Sequence, residues 1–70
     1  MNMRLLSMEE RTNRAGNTYF VGDIVINDDK LSYFYDTTDG LFNLFRGCKP
    51  DELLPDWTPV KAYVLSQIEK

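Results

Sequence analysis

The sequence predicts an α+β fold: a small antiparallel β-meander of three to four strands with a C-terminal helix packed on one face. Three observations carry this. Tyr19–Asp36 holds two runs rich in Val, Ile, Tyr and Phe around the polar Asn27-Asp28-Asp29-Lys30, which is the composition of a β-hairpin. Thr37-Thr38-Asp39-Gly40 is a second turn signal, and the apolar run Leu41–Arg46 follows it. Thr58-Pro59 opens a stretch in which Val60, Tyr63, Val64 and Ile68 recur at helical spacing.

If Asp28 and Asp29 form the two-residue loop of the hairpin, Ile26 faces Leu31, Ile24 faces Tyr33 and Gly22 faces Tyr35. One face is then almost wholly apolar, with Phe20, Ile24, Ile26, Leu31, Tyr33 and Tyr35. The other is mixed, with Tyr19, Val21, Asp23, Val25, Ser32, Phe34 and Asp36. Gly22 is expected under the ring of Tyr35, where the absent side chain leaves room. A slip of one residue would exchange the faces.

Before the hairpin, Arg4–Thr12 reads as an edge strand turning back through Ala15-Gly16-Asn17, with a short helix from Ser7 or a flexible segment over 1–14 as alternatives. After it, Leu41–Arg46 reads as a strand that brings Phe42 near Tyr35 and Leu44 near Tyr33. Its alternative is two turns of helix ended by Gly47. Lys49–Trp57, with Pro50 and Pro55, reads as a covering connection with one turn around Asp51–Leu54. Thr58 is the expected N-cap and Pro59 the first helical residue. Lys61 and Gln67 point away from the apolar stripe, and Lys70 lies at the favourable C-terminal end.

The alternative architecture is a small SH3-like barrel. Phe20-Val21-Gly22-Asp23-Ile24-Val25 resembles the opening strand of such barrels, and Asp51-Glu52-Leu53-Leu54-Pro55 their one-turn helix. That resemblance implies a final strand over Val60–Leu65.

Seventy residues predict one small domain over 1–70 that buries about 60% of its unfolded surface and is thinly stable. Nine aromatics and 43% hydrophobic residues predict that it folds. The net charge is −3, yet residues 23–56 carry eight acids against three bases, a local −5. Such a surface disfavours duplex nucleic acid and suits a basic protein. One cysteine, Cys48, allows no internal disulfide, so a reducing cytoplasm is expected. No apolar run has the length of a membrane span, and 1–8 lacks a signal-peptide core.

Histidine is absent, which removes Ser-His-Asp and Cys-His catalysis and the common zinc sets. Cys48, between Arg46 and Lys49, reads as a half-buried structural thiol rather than a nucleophile. Asp36-Thr37-Thr38-Asp39-Gly40 has carboxylates near a glycine but lacks the alternating acids and closing Glu of a calcium loop, so it reads as a hairpin turn. No phosphate-binding glycine loop occurs. The expectation is a protein without catalytic residues, cofactor or metal.

A binding role remains. The leading expectation is a protein-binding modulator or inhibitor that docks on a basic, nucleic-acid-binding surface of a partner protein through Tyr19, Asp23, Phe34 and Asp36, the acidic turns Asp28, Asp29 and Asp39, and Trp57. Trp57, near Pro55 and Pro59, is either a lid on the sheet or an exposed anchor. A second expectation is single-strand nucleic-acid binding on a platform of Tyr19, Tyr33 and Tyr35 with the N-terminal arginines. A third is a homodimeric structural subunit. Small size without catalytic groups also fits a phage accessory protein.

Overall fold

Asn27 and Asp28 set the geometry of the sheet, because both adopt left-handed backbone (φ 50° and 71°). Two consecutive positive φ values are those of a type I′ turn, whose twist matches the flanking strands. The turn joins β3 (Thr18–Ile26) to β4 (Asp29–Asp36). The register is Ile26 with Asp29, Ile24 with Leu31, Gly22 with Tyr33 and Phe20 with Tyr35. This corrects the sequence expectation by two residues, since the loop is Asn27-Asp28 and not Asp28-Asp29. Asn tolerates the left-handed region better than Asp does, which favours this turn. A two-residue shift leaves every side chain on its expected face.

The computed structural model describes residues 2–52 and 56–69. Beside β3 lie β1 (Met3–Leu5) and β2 (Glu9–Thr12), both antiparallel to it. They replace the single strand expected over Arg4–Thr12. Met3 pairs with Ile26 and Leu5 with Ile24, whereas Glu9 pairs with Val21 and Arg11 with Tyr19. One extra residue therefore sits between them, a β-bulge. The amides of Leu6 and Ser7 both donate to the Asp23 carbonyl, at 2.9 and 3.3 Å. Ser7 Oγ accepts from the Asp23 amide at 3.0 Å. The chain then turns through 13–17, where Asn13 Oδ1 accepts from the amides of Ala15 and Asn17.

On the far side, β5 (Leu41–Arg46) pairs with β4, placing Phe42 opposite Tyr35 and Leu44 opposite Tyr33 as the sequence predicts. The helical alternative for this run is not realised. Gly47, at φ 69°, turns the chain into β6 (Lys49–Pro50), a two-residue strand in a stretch expected to be connection only. Cys48 lies in this turn and is exposed, where a half-buried thiol was expected. The strand order is β1-β3-β4-β5-β6, with β2 also on β3.

The helix α1 (Thr58–Ile68) covers one face. Val60 and Val64 are fully buried with Ile24, Ile26, Leu31, Tyr33, Phe42 and Leu44, while Tyr63, Ile68 and Trp57 pack half-buried against this core. A helix over 60–65 excludes the final strand of an SH3-like barrel. Its start also differs by one position. Trp57 is the capping residue without a side-chain cap bond, Thr58 is already helical, and Asp56 Oδ1 accepts from the Thr58 amide (2.9 Å) and hydroxyl (2.7 Å). Among the described residues the side chains of Tyr63 and Lys61 tie the helix to the sheet and its turn. The Leu5 amide donates to the Tyr63 hydroxyl at 3.3 Å, and Lys61 Nζ donates to the Gly40 carbonyl at 2.8 Å. Lys61, expected to point away, thus returns to the sheet. The expected turn over Asp51–Leu54 falls partly, and Lys70 wholly, outside the described residues.

Candidate docking surface

Strand parity assigns the second face of the sheet. Odd residues of β3 and β5 and even residues of β4 point away from α1, giving neighbouring rows of Arg4, Val25 and Lys30, then Asp23, Ser32 and Phe45, then Glu9, Val21, Phe34 and Asn43, then Arg11, Tyr19, Asp36 and Leu41. Among the described residues no element lies over this face. Tyr19 and Phe34 meet diagonally on adjacent central strands, with ring centroids 5.3 Å apart and planes tilted by 31°. That is the spacing of a favourable aromatic pair. Both rings are half-buried, and Leu41 at the lower edge is 50% exposed.

Charge on this face is largely compensated within it. Arg11 pairs with Glu9 at 2.9 Å, which holds the Glu9 carboxyl below its usual range by hydrogen bond and charge. Lys30 lies 3.9 Å from Asp23, whose other oxygen accepts from Ser32 Oγ at 3.1 Å. Asp36 Oδ1 accepts from the Thr38 amide at 2.8 Å and so shapes the β4–β5 turn. Exposed pairs of this kind contribute about 0–1 kcal/mol each, so they set the character of the surface more than its stability.

The residues singled out in the sequence fall in three places. Tyr19, Asp23, Phe34 and Asp36 share the open face. Asp28 and Asp29 lie at one end of β4 and Asp39 beyond the other end, so the acidic turns flank the face from opposite ends. Asp29 is also engaged, 3.3 Å from Arg46 Nη1. Trp57 lies on the helix side, away from Tyr19 and Phe34. Of the tyrosine platform only Tyr19 is on the open face. Tyr33 is 2% exposed and Tyr35 packs on the helix-side core. Burial, and then the nearby Asp23 charge, push the Tyr33 hydroxyl up to about 12.

Three features were not visible from composition. The Asp51 side chain is wholly buried, and Arg46 Nε donates to its Oδ1 at 3.0 Å while the same guanidinium reaches Asp29. Arg46 thereby clamps the connection after β6 onto the hairpin turn. Second, Leu41 extends the open face, which its strand parity with Asp36 would have revealed. Third, a depression of about 640 Å³ opens between the β4–β5 turn and the start of α1, lined by Asp39, Leu41, Phe42, Asp56, Trp57 and Lys61 among others. Hydrogen bonds from the Thr58 amide and hydroxyl hold the Asp56 carboxyl below its usual range.

Among the described residues no group of three acids or cysteines is placed to hold a metal ion. No helix among them is long and apolar enough to cross a membrane. Comparison with protein-family models, with curated proteins and with solved structures finds no match to this chain.

Proposed function

We propose that the protein is a non-enzymatic binding module that acts as a modulator or inhibitor by docking on a basic surface of another protein, in a reducing cytoplasm. The observation that carries the reading is the open sheet face, where the Tyr19–Phe34 pair and Val21 lie between acidic turns. Aromatic rings on a rigid sheet provide contact area at low entropic cost. Asp28 and Asp39 at its two ends supply charge that steers a basic partner and sets register. Where the partner surface normally binds nucleic acid, these carboxylates stand in for phosphates.

The test is affinity capture from a host lysate at low and high salt, with bound proteins and nucleic acids both identified. A protein partner retained at low salt, and lost from the double variant Tyr19→Ser with Phe34→Ser, is the expected result. Retention by that variant and by a charge-reversed Asp28→Lys, Asp39→Lys chain would remove the reading. A second reading, single-strand nucleic-acid binding, takes support from the same ring pair beside Arg11. Recovery of oligonucleotide without protein in the same capture would favour it.

A further inference from the structure

The depression beside the helix start belongs to no part of the sheet face except through Leu41, which lines both. Its lining combines Phe42 and the half-buried Trp57 with Asp39 on the β4–β5 turn, Asp56 before α1 and the buried Asp51, which is paired with Arg46. Lys61 also lines it and carries its positive charge, while its ammonium donates to the Gly40 carbonyl at 2.8 Å. Both hydrogen bonds to Asp56 fall on Oδ1, and Asp56 is among the residues that line the depression. A lining that includes a tryptophan and the carboxylates of Asp39 and Asp56 suits a guanidinium, which stacks on aromatic rings and binds carboxylates through its planar donors. The volume, about 640 Å³, lies within the range of ligand sites and exceeds a single side chain, so backbone flanking that side chain fits as well.

We propose that this depression receives an arginine-bearing segment of the protein partner, with the guanidinium over Trp57 and between Asp39 and Asp56. The proposal rests on the docking reading above and adds a second contact on the helix side, joined to the sheet face at Leu41. Partner specificity would then come from one inserted arginine, and contact area from the open sheet.

Trp57 is the sole tryptophan, so tryptophan fluorescence comes from this site. The whole protein is titrated at low salt with a short peptide carrying one central arginine between glycines, and with the matching glutamate peptide. A saturable change in Trp57 emission with the arginine peptide only, weakened by salt, is expected. Asp39→Asn should weaken it about two- to fivefold, the scale of one exposed ion pair, with an unchanged melting temperature. Amide shifts at Gly40 and Thr58 should accompany binding. No saturable response, an equal response to glutamate, or an unaltered affinity in Asp39→Asn would each overturn the proposal. Shifts confined to Tyr19 and Phe34 would also overturn it while leaving the docking module intact. Loss of all partner capture, with the arginine peptide still bound, would instead remove the broader reading.

Discussion

At the scale of single residues, Gly22 is the least replaceable position. A Cβ there would overlap the Ser7 carbonyl and press on the Tyr33 hydroxyl, which itself donates to that carbonyl at 2.9 Å. Gly22→Ala must displace backbone rather than a flexible side chain. It should cost roughly 2–3 kcal/mol, read as a drop in melting temperature of about 4–8 °C per kcal/mol. Tyr33 also gives the molecule an alkaline limit. Its hydroxyl is held neutral to about 12 against an ordinary value of 10.0, so its contribution is full below pH 10 and is lost as pH rises toward 12. A pH titration of stability should fall across that window and flatten there in Tyr33→Phe. Asp56 acts in the opposite sense. Its folded value is lowered, so its support of the helix start is present at neutral pH and lost on acidification through that value. Asp56→Ala should lose helix content at neutral pH and show less acid dependence. Arg46 tests a different balance, because its removal deprives the buried Asp51 carboxylate of a charged partner. Arg46→Leu should lower the midpoint of a denaturant titration.

At the scale of elements, the Asn27-Asp28 turn holds an Asp at φ 71°. Asp28→Gly should raise stability by about 0.5–1 kcal/mol by relieving that backbone conformation. The same variant removes one acid proposed for docking, so higher stability with weaker partner capture would separate the two roles. The hairpin shows what was readable in the chain. Face membership follows from parity and survives a shift of two, so Phe20, Ile24, Ile26, Leu31, Tyr33 and Tyr35 fall on the expected side. Register depends on which polar pair takes positive φ, and Asn-Asp-Asp offers two choices of similar composition. The break between β1 and β2 was hidden for another reason. It depends on a backbone carbonyl resting on Gly22, a contact 15 residues away in the chain and absent from any local pattern. Likewise nothing in the covering connection marks Asp51 as buried, and the fold brings Arg46 to it.

At the scale of the whole molecule, one layer of helix covers one face of one sheet, within extents of 34 × 27 × 18 Å. Stability is therefore concentrated where both layers meet. Hydrogen exchange should be slowest at Ile24, Leu31, Tyr33, Leu44 and Val64, and fast in β6 and in 13–17. Equal protection throughout would contradict a core confined to the helix side. For the candidate surface, composition indicated Tyr19, Phe34 and their acids. It could not show that Trp57 stands apart from them, because that follows from which face α1 covers.

The bulge between β1 and β2 has a consequence for crowding. A neighbouring chain that tried to extend the sheet along β1 would lose its ladder after Leu5, where the strand changes parity, and would then meet the charged Glu9–Thr12. On the opposite margin β6 covers only Phe45 and Arg46 of β5 and ends on Pro50, which has no amide to donate. Edge-to-edge growth of the sheet is thus opposed along β1 and β2, and a neighbouring chain would have to approach on the β5 side instead, beside residues 41–43.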